Sequence, residues 1–414
     1  EKAGYEIVPF EEGADIYLIN TCTVTNIADR KSRQMLHKAK KMNPDAIVVA
    51  TGCYVQTDTQ KLEADSAVDL ILGNNQKKQI VEALEEYEKE HAKKVKVIEI
   101  NKTKEYEDLS IGYTAEHVRA YIKVQDGCNQ FCTYCIIPKV RGNYRSVPME
   151  NLLRQAKELA EKGVKELILV AQETTMYGKD IYGEKSLHKL LKELCKIQGI
   201  QFIRIMYCYP EEIYDELIQT MKEEQKICHY LDMPIQHCND AILKKMGRRT
   251  NKKEIQEIVT KLREAIPDII LRTTLITGFP GETEDNFEEM MDFVDEMEFD
   301  RLGVFPYSPE EGTPAAEFPD QIDEEVKADR QCEIMELQQD IAFEKSERRI
   351  GQEMLAVIEG KVADENAYIG RTYMDAPNID GYVFIHTDEA LMTGDFVKVK
   401  ITASSDYDLI GELV

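Results

Sequence analysis

The sequence contains no apolar run near the roughly 18 to 20 residues needed to cross a bilayer, no signal peptide and no low-complexity tract. A membrane-spanning, secreted or disordered chain is therefore not expected, and the ten cysteines should be reduced thiols of a cytoplasmic protein rather than a disulfide framework. Basic residues are also scarce: net charge is −25 with 43% hydrophobic residues. Such a surface repels nucleic acid at long range and attracts basic partners. The deficit is uneven, with 21 acids against 17 bases in residues 1–119 and 12 against 4 in residues 351–414. One run escapes it, residues 30–41, with Arg30, Lys31, Arg33, Lys38, Lys40 and Lys41 and no acid. It reads either as an RNA contact or as a solvated helix face. The chain opens in mid-pattern with Glu1-Lys2-Ala3-Gly4-Tyr5, so a preceding N-terminal piece is expected.

At 414 residues two or three domains are expected. Residues 1–99 alternate buried strands (15–20, 46–51) with helices (27–42, 77–89), a pattern that predicts a parallel α/β domain. Residues 100–116 lose the periodicity and read as a linker. From residues 117 to 349, apolar runs at 120–124, 166–171, 202–207, 230–235, 268–276 and 302–306 alternate with helical stretches near 150–162, 186–197, 211–223, 251–265 and 284–296. Six β/α units predict a partial parallel barrel with active-site groups at the strand C-termini. A charged helix over 323–349 leads to 350–414, where strands at 357–362, 382–385 and 396–401 predict a small all-β barrel.

The most informative residues are Cys128, Cys132 and Cys135, in Gly127-Cys128-Asn129-Gln130-Phe131-Cys132-Thr133-Tyr134-Cys135. A Cys-x3-Cys-x2-Cys loop offers three thiolates to a 4Fe–4S cluster and leaves one iron without a protein ligand. Zinc knuckles usually pair Cys-x2-Cys units with a second pair elsewhere. The loop follows the first strand of the partial barrel, where chemistry is expected. It resembles the cluster loop of radical S-adenosylmethionine enzymes, in which the open iron chelates the amino and carboxylate groups of S-adenosylmethionine and an aromatic, here Tyr134, precedes the last cysteine.

Other strand ends carry candidate cofactor contacts, each with a plainer alternative. Gln172 and Glu173 end the second strand, where an acid could take the methionyl amino group; the alternative is a strand-to-helix turn with Thr as N-cap. Arg204 on the third strand pairs either with a cofactor carboxylate or with an acid inside the barrel. His237 beside Cys238 is either a metal ligand or part of a packed or substrate-lining pair. Gly278 lies in Thr277-Gly278-Phe279-Pro280-Gly281-Glu282, which is either a close approach to a nucleoside or a tight turn; the resemblance places it by the adenine. Cys22 and Cys53 follow adjacent strands, where two thiols converge on one ligand or pack as small hydrophobes. Cys195, Cys208, Cys228, Cys238 and Cys332 show no spacing and are expected in the core.

Together, Asn20-Thr21-Cys22, Thr51-Gly52-Cys53, the cysteine triad, Tyr307-Ser308-Pro309-Glu310-Glu311-Gly312-Thr313 and the C-terminal barrel, which resembles a TRAM domain, are similar to the radical S-adenosylmethionine methylthiotransferases over essentially the whole length. The resemblance implies a second 4Fe–4S cluster on three N-terminal cysteines, of which Cys22 and Cys53 match the second and third. The first is expected upstream of Glu1. It also implies S-adenosylmethionine and an electron donor such as flavodoxin or ferredoxin. Residues 21–34 and 120–135 resemble the branch that modifies the adenosine beside the tRNA anticodon. Residues 138–146, 230–237 and 370–377 resemble the branch that methylthiolates the β-carbon of an aspartate in small-subunit ribosomal protein S-12. An RNA-binding barrel should carry clustered Lys and Arg, whereas this one is acidic, so the ribosomal-protein substrate is expected and tRNA is the alternative. The non-enzyme alternative is an iron–sulfur or zinc scaffold that binds basic ribosomal protein.

Overall fold

In the computed structural model, residues 3–23, 25–107, 118–363 and 365–414 are described. The chain forms two compact units. One comprises Glu1–Ser110, Asp126–Arg145 and Ser308–Phe318, and the other the remaining segments.

The first unit is built on a parallel sheet in the order Ile16–Thr21, Ile47–Gly52, Leu70–Leu72, Lys94–Lys96. Side chains alternate across a strand, so successive residues feed two cores. Val48 and Ala50 pack with Tyr17, Leu36 and Ala39 on one face, and Val49 with Leu70, Leu72 and Leu84 on the other. Helix Asn26–Met42 covers the first face; Thr25 caps it, its hydroxyl accepting the Ala28 N–H at 3.1 Å. That helix carries the basic run, with Leu36 and Ala39 inward and Arg30, Lys31, Arg33, Lys38 and Lys41 in solvent. Both expected strands and both expected helices are present; the short strands Leu70–Leu72 and Lys94–Lys96 are additions. Within the expected linker, Ile100–Lys102 forms one 3-10 turn, and residues 108–116 lie outside the described residues.

The second unit holds six parallel strands in chain order: Arg119–Lys123, Glu166–Val170, Phe202–Ile205, Ile227–Asp232, Ile270–Thr277 and Arg301–Pro306. Helices between them include Met149–Glu161, Lys252–Ala265 and Glu284–Met297, the last two opened by capping boxes at Asn251 and Thr283. This is the expected open barrel of six β/α units. Helix Glu324–Glu347 leads to a closed five-stranded barrel, Glu353–Lys361, Ala367–Thr372, Val383–His386, Asp408–Leu413 and Phe396–Ser405 in spatial order. Its strands Ala367–Thr372 and Asp408–Leu413 were not evident from the sequence pattern.

The closed barrel packs on the parallel sheet through Ile168, Phe202, Tyr230 and Ile270 against Ala356 and Met374. A fully buried ion cluster joins the two. Glu166, the first residue of its strand, accepts from Arg204 Nε at 3.1 Å and from both terminal nitrogens of Arg371. Arg371 Nε also donates to Glu359 at 3.0 Å. Because Glu166 opens its strand, the cluster marks the N-terminal end of the sheet. The C-terminal strand ends remain on the opposite side.

Candidate functional site

In the first unit the cysteine loop is fixed by backbone contacts. Gly127 has φ +84°, and a Cβ there would lie 2.4 Å from the Asn143 carbonyl oxygen, so only glycine fits. The Cys128 N–H donates to the Gly142 carbonyl at 3.1 Å and the Cys135 N–H to the Cys132 carbonyl at 3.0 Å. The Gln130 N–H points at Cys128 Sγ, 3.5 Å away. Segment Ser308–Phe318 braces the loop from outside, its Ala315 N–H donating to the Thr133 carbonyl at 2.9 Å. Cys128 and Cys132 are buried, Cys135 and Tyr134 half-buried. Burial among its neighbours, with Cys132 and Cys128 adding to it, pushes the Cys135 thiol up to about 12.

The donor chemistry fits a cluster: three thiols on one short loop feel one another and one already receives a backbone N–H. Among the described residues no three His, Cys, Asp or Glu side chains are gathered to hold a single metal ion. A cubane cluster asks for something else, one thiolate on each of three irons.

Cys22 and Cys53 lie in the same unit. Thr21 and Gly52 are register partners, so the two cysteines follow matching strand ends. Gly52 has φ +101°, and a Cβ there would sit 2.3 Å from the Thr21 carbonyl oxygen. Cys22 is exposed and Cys53 buried. Cys53 packs on Ile136 and Val140, just past the triad. The Asn74 amide lies 3.7 Å from Cys53 Sγ and donates to the Val140 carbonyl at 2.8 Å. Arg141 faces the Asp126 carboxylate at 3.6 Å. Burial disfavours its charge, but Asp126 and then the Cys53 and Cys22 sulfurs hold its guanidinium above the ordinary value. The structure thus brings both thiols beside the helix Ile137–Arg141 that follows the triad. Sequence reasoning missed Asn74 and Arg141, which no local pattern marks.

In the second unit the polar strand ends separate into two groups. Glu173 is fully buried. One carboxylate oxygen accepts the Thr175 N–H at 2.9 Å and the Thr175 hydroxyl, the Tyr209 backbone N–H lies close by, and the other oxygen makes no full hydrogen bond among the described residues. Burial raises its pKa to about 8 against the Thr175 hydrogen bonds, with nearby Glu212 adding to the rise. An orphaned buried carboxylate oxygen at a strand C-terminus fits an amino group. Thr174 and Thr175 do not cap a helix here; Thr174 Oγ1 donates to the Met206 carbonyl at 2.6 Å. Gln172 is half-buried beside them.

Arg204 takes the other of its two readings. Its donors go to Glu166, to the Tyr373 carbonyl at 2.7 Å and to the Thr372 carbonyl at 3.3 Å, and its guanidinium lies 4.7 Å from the Tyr230 ring centre. It serves the N-terminal end of the sheet, opposite the strand end that carries Glu173. Gly278 has φ +68°, and a Cβ would lie 2.2 Å from Lys327 Cγ; the space over this glycine is filled by lysine. His237 is packed: its Nδ1 accepts the Cys238 and Asn239 N–H groups at 3.0 and 2.9 Å, and Nε2 lies 3.3 Å from Glu282.

Comparison with known proteins matches three segments of the chain. The Radical SAM superfamily pattern matches residues 122–294, the TRAM domain residues 350–414, and an uncharacterized protein family, UPF0004, residues 1–73. Among solved structures, the radical S-adenosylmethionine methyltransferase TsrM from Kitasatospora setae, with cobalamin and a 4Fe-4S cluster bound, shares the fold. Its TM-score is 0.57 at 16% identity, over 74% of this chain and 67% of that one. The chain is 50% identical to the ribosomal protein uS12 methylthiotransferase RimO of Lachnoclostridium phytofermentans, over 99% of this chain and 93% of the relative. It is 45% identical to the proteins of the same name from Desulfitobacterium hafniense and Clostridium perfringens, over 99% and 98% of this chain and 93% and 92% of theirs. Identity at that level along nearly the entire length places the chain in the RimO family of radical S-adenosylmethionine methylthiotransferases.

Proposed function

We propose that this chain adds a methylthio group to the β-carbon of an aspartate in ribosomal protein uS12. The observation that carries the reading is 50% identity, end to end, to a uS12 methylthiotransferase. Cys128, Cys132 and Cys135 would hold the 4Fe–4S cluster, with Tyr134 immediately before the last of them. When bound, the cluster supplies the electron for reductive cleavage of S-adenosylmethionine, which gives access to an unactivated carbon that no side-chain base reaches at neutral pH. Glu173 offers its unpartnered oxygen to the methionyl amino group, Gln172 lies alongside, and Gly278 with Lys327 shapes the turn after the fifth strand. Cys22 and Cys53, with a further cysteine, hold the second cluster that carries the sulfur. The packing of Cys53 on Ile136 and Val140 supports a short path between sulfur source and radical loop. The domain division that goes with this reading is 1–99, 117–349 and 350–414.

Substrate choice follows from the closed barrel. One of its four bases, Arg371, is buried in the ion cluster. Among the described residues its exposed charges are Glu353, Glu365, Asp388, Glu389, Asp406 and Glu412 against Lys361, Lys398 and Lys400. That surface suits a basic ribosomal protein and lacks the cation cluster that phosphate binding needs. Among the described residues no helix is long and apolar enough to cross a membrane; the protein works in the cytoplasm with a flavodoxin or ferredoxin as electron donor.

The test is an anaerobic assay of the reconstituted enzyme offered uS12 and unmodified tRNA side by side, with mass spectrometry of both. A methylthio gain on the uS12 aspartate establishes the reading, and the same gain on tRNA alone refutes it. Cys128→Ala, Cys132→Ala and Cys135→Ala should each abolish 5′-deoxyadenosine formation; a variant that keeps the parent rate would remove the triad from the site.

A further inference from the structure

Tyr207 lies two residues past the third strand of the open barrel, with φ +61°. A bulky side chain in the left-handed region is an outlier, because the Cβ crowds the carbonyl. Among the described residues, most other non-glycine residues with positive φ are Asn, Asp, Glu or Gln, such as Asn75, Asp320 and Asp406; the other large aromatic ring is Phe131, in the cysteine loop. Tyr207 is held in place from both sides. Its N–H donates to the Asp232 carboxylate at 3.1 Å, and its carbonyl accepts the Thr174 N–H at 2.9 Å. Asp232 is in turn pinned by Arg272 at 2.8 Å. Thr174 also donates through its hydroxyl to the Met206 carbonyl.

The clamp therefore joins the ends of the second, third and fourth strands, and it includes the residue next to Glu173. Strain of this kind persists only where neighbours over-determine it, and it collects at working sites. The side chain is 44% exposed, with its hydroxyl in the field of Asp232 and Arg272. Its hydrogen bonds are made by the backbone, and its ring belongs to none of the buried clusters described above. A glycine would satisfy the same backbone at lower cost.

We propose that Tyr207 is a substrate-positioning residue, its ring and hydroxyl held out at the C-terminal strand ends to receive the polypeptide segment that carries the target carbon. The identity of the ligand as polypeptide rests on the uS12 reading above. Tyr207 touches no bond that breaks; it fixes where the substrate lies relative to the Glu173 turn.

The test compares the reconstituted parent with Tyr207→Ala, Tyr207→Gly and Tyr207→Phe. Melting temperature, the KM for uS12 and the ratio of 5′-deoxyadenosine to methylthiolated product are measured for each. Ala and Gly both lose the ring, but only Ala keeps the crowded Cβ, so the Gly variant should melt above the Ala variant. Both should raise the KM for uS12 about tenfold, the loss of roughly one aromatic contact. Both should also raise the 5′-deoxyadenosine ratio, since cleavage continues while transfer misses. Phe should recover most of the KM. A residue that only supports the fold would lower stability in both variants without uncoupling cleavage from transfer. An unchanged KM and ratio in Ala and Gly, with an active parent, would overturn the role of Tyr207 alone. An Ala variant that melts as high as Gly would overturn the strain argument. A parent that modifies tRNA and not uS12 would overturn the substrate reading and, with it, the polypeptide as ligand.

Discussion

Arg204→Met separates a cofactor residue from a tether between two folds. In the parent, Arg204 gives one hydrogen bond to Glu166, two to the carbonyls of Thr372 and Tyr373, and stacks its guanidinium over Tyr230. Methionine fills similar volume and keeps the apolar contacts. Glu166 still holds both terminal nitrogens of Arg371, so the carboxylate is not stranded. The loss is then two buried carbonyls left short of a donor and one charged hydrogen bond, together about 4 kcal/mol, within the range for removing one member of a buried ion cluster. The unit that contains the cluster has about 270 residues. With an unfolding entropy near 2.1 cal/mol/K per residue, 4 kcal/mol lowers Tm by about 7 °C. Differential scanning fluorimetry reads the shift, and equilibrium dialysis of the reconstituted enzyme reads S-adenosylmethionine affinity, which should stay within about twofold of the parent, or roughly 0.4 kcal/mol. A variant with parental Tm and an affinity loss of tenfold or more would refute the tether and return Arg204 to the cofactor.

The same cluster predicts a pH signature. Burial opposes the Glu166 charge, but the Arg371 and Arg204 guanidiniums outweigh it and hold the carboxyl below its ordinary value of 4.5. Its contribution is therefore complete above about pH 4.5 and is lost as pH falls through the lowered value; acid unfolding of Glu166→Gln should show correspondingly less pH dependence in that window. Glu173 has the opposite sign, because burial lifts its pKa to about 8. It opposes folding increasingly as pH rises from about 4.5 to 8, so the cofactor-free Glu173→Gln protein should gain Tm relative to the parent across that interval, a difference absent if the carboxyl is not perturbed. Gly278→Ala brings a Cβ to 2.2 Å from Lys327 Cγ at φ +68° and should cost about 2 kcal/mol even if the lysine shifts, seen as a Tm drop of about 4 °C. Replacing exposed barrel acids together, Glu353, Asp388 and Glu389 to Lys, should slow association with uS12 at low salt and have little effect at high salt; stopped-flow rates equal to the parent's at low salt would remove the barrel from recognition.

Most of the scaffold was legible because parallel strands buried on both faces read as short continuous apolar runs. Glu166–Val170 and Ile47–Gly52 announce themselves in this way, whereas Ile16–Thr21 and Arg119–Lys123 alternate buried with exposed residues and are legible from their apolar content. The missed strands lack that signal for identifiable reasons. Lys94–Lys96 is an edge strand with lysine at both ends, and Leu70–Leu72 is only three residues long. Ala367–Thr372 hides behind Arg371, a residue that normally marks a surface. Here it is buried because Glu166, 205 residues earlier in the chain, is waiting for it. A pattern read along the chain cannot see a charge neutralised from such a distance.

The site divides along the same line. Cysteine spacing is a local property, and so the triad, and the matched positions of Cys22 and Cys53 after paired strands, could be found without coordinates. What surrounds them is not local. Ala315 reaches Thr133, Asn74 reaches Val140, and Arg141 faces sulfurs some 90 and 120 residues away in sequence. Arg204 shows the limit most directly. A lone arginine on an apolar strand is equally consistent with a ligand contact and an internal ion pair, and the two readings differ only in which end of the strand its partner occupies. The partner is the first residue of the neighbouring strand, and that register, Glu166 opposite Phe202 and Ile168 opposite Arg204, decides between them. Tyr207 is the converse case. Its residue type argues against the conformation it adopts, so nothing in the sequence marks it, and the mismatch itself becomes the signal once the backbone is known.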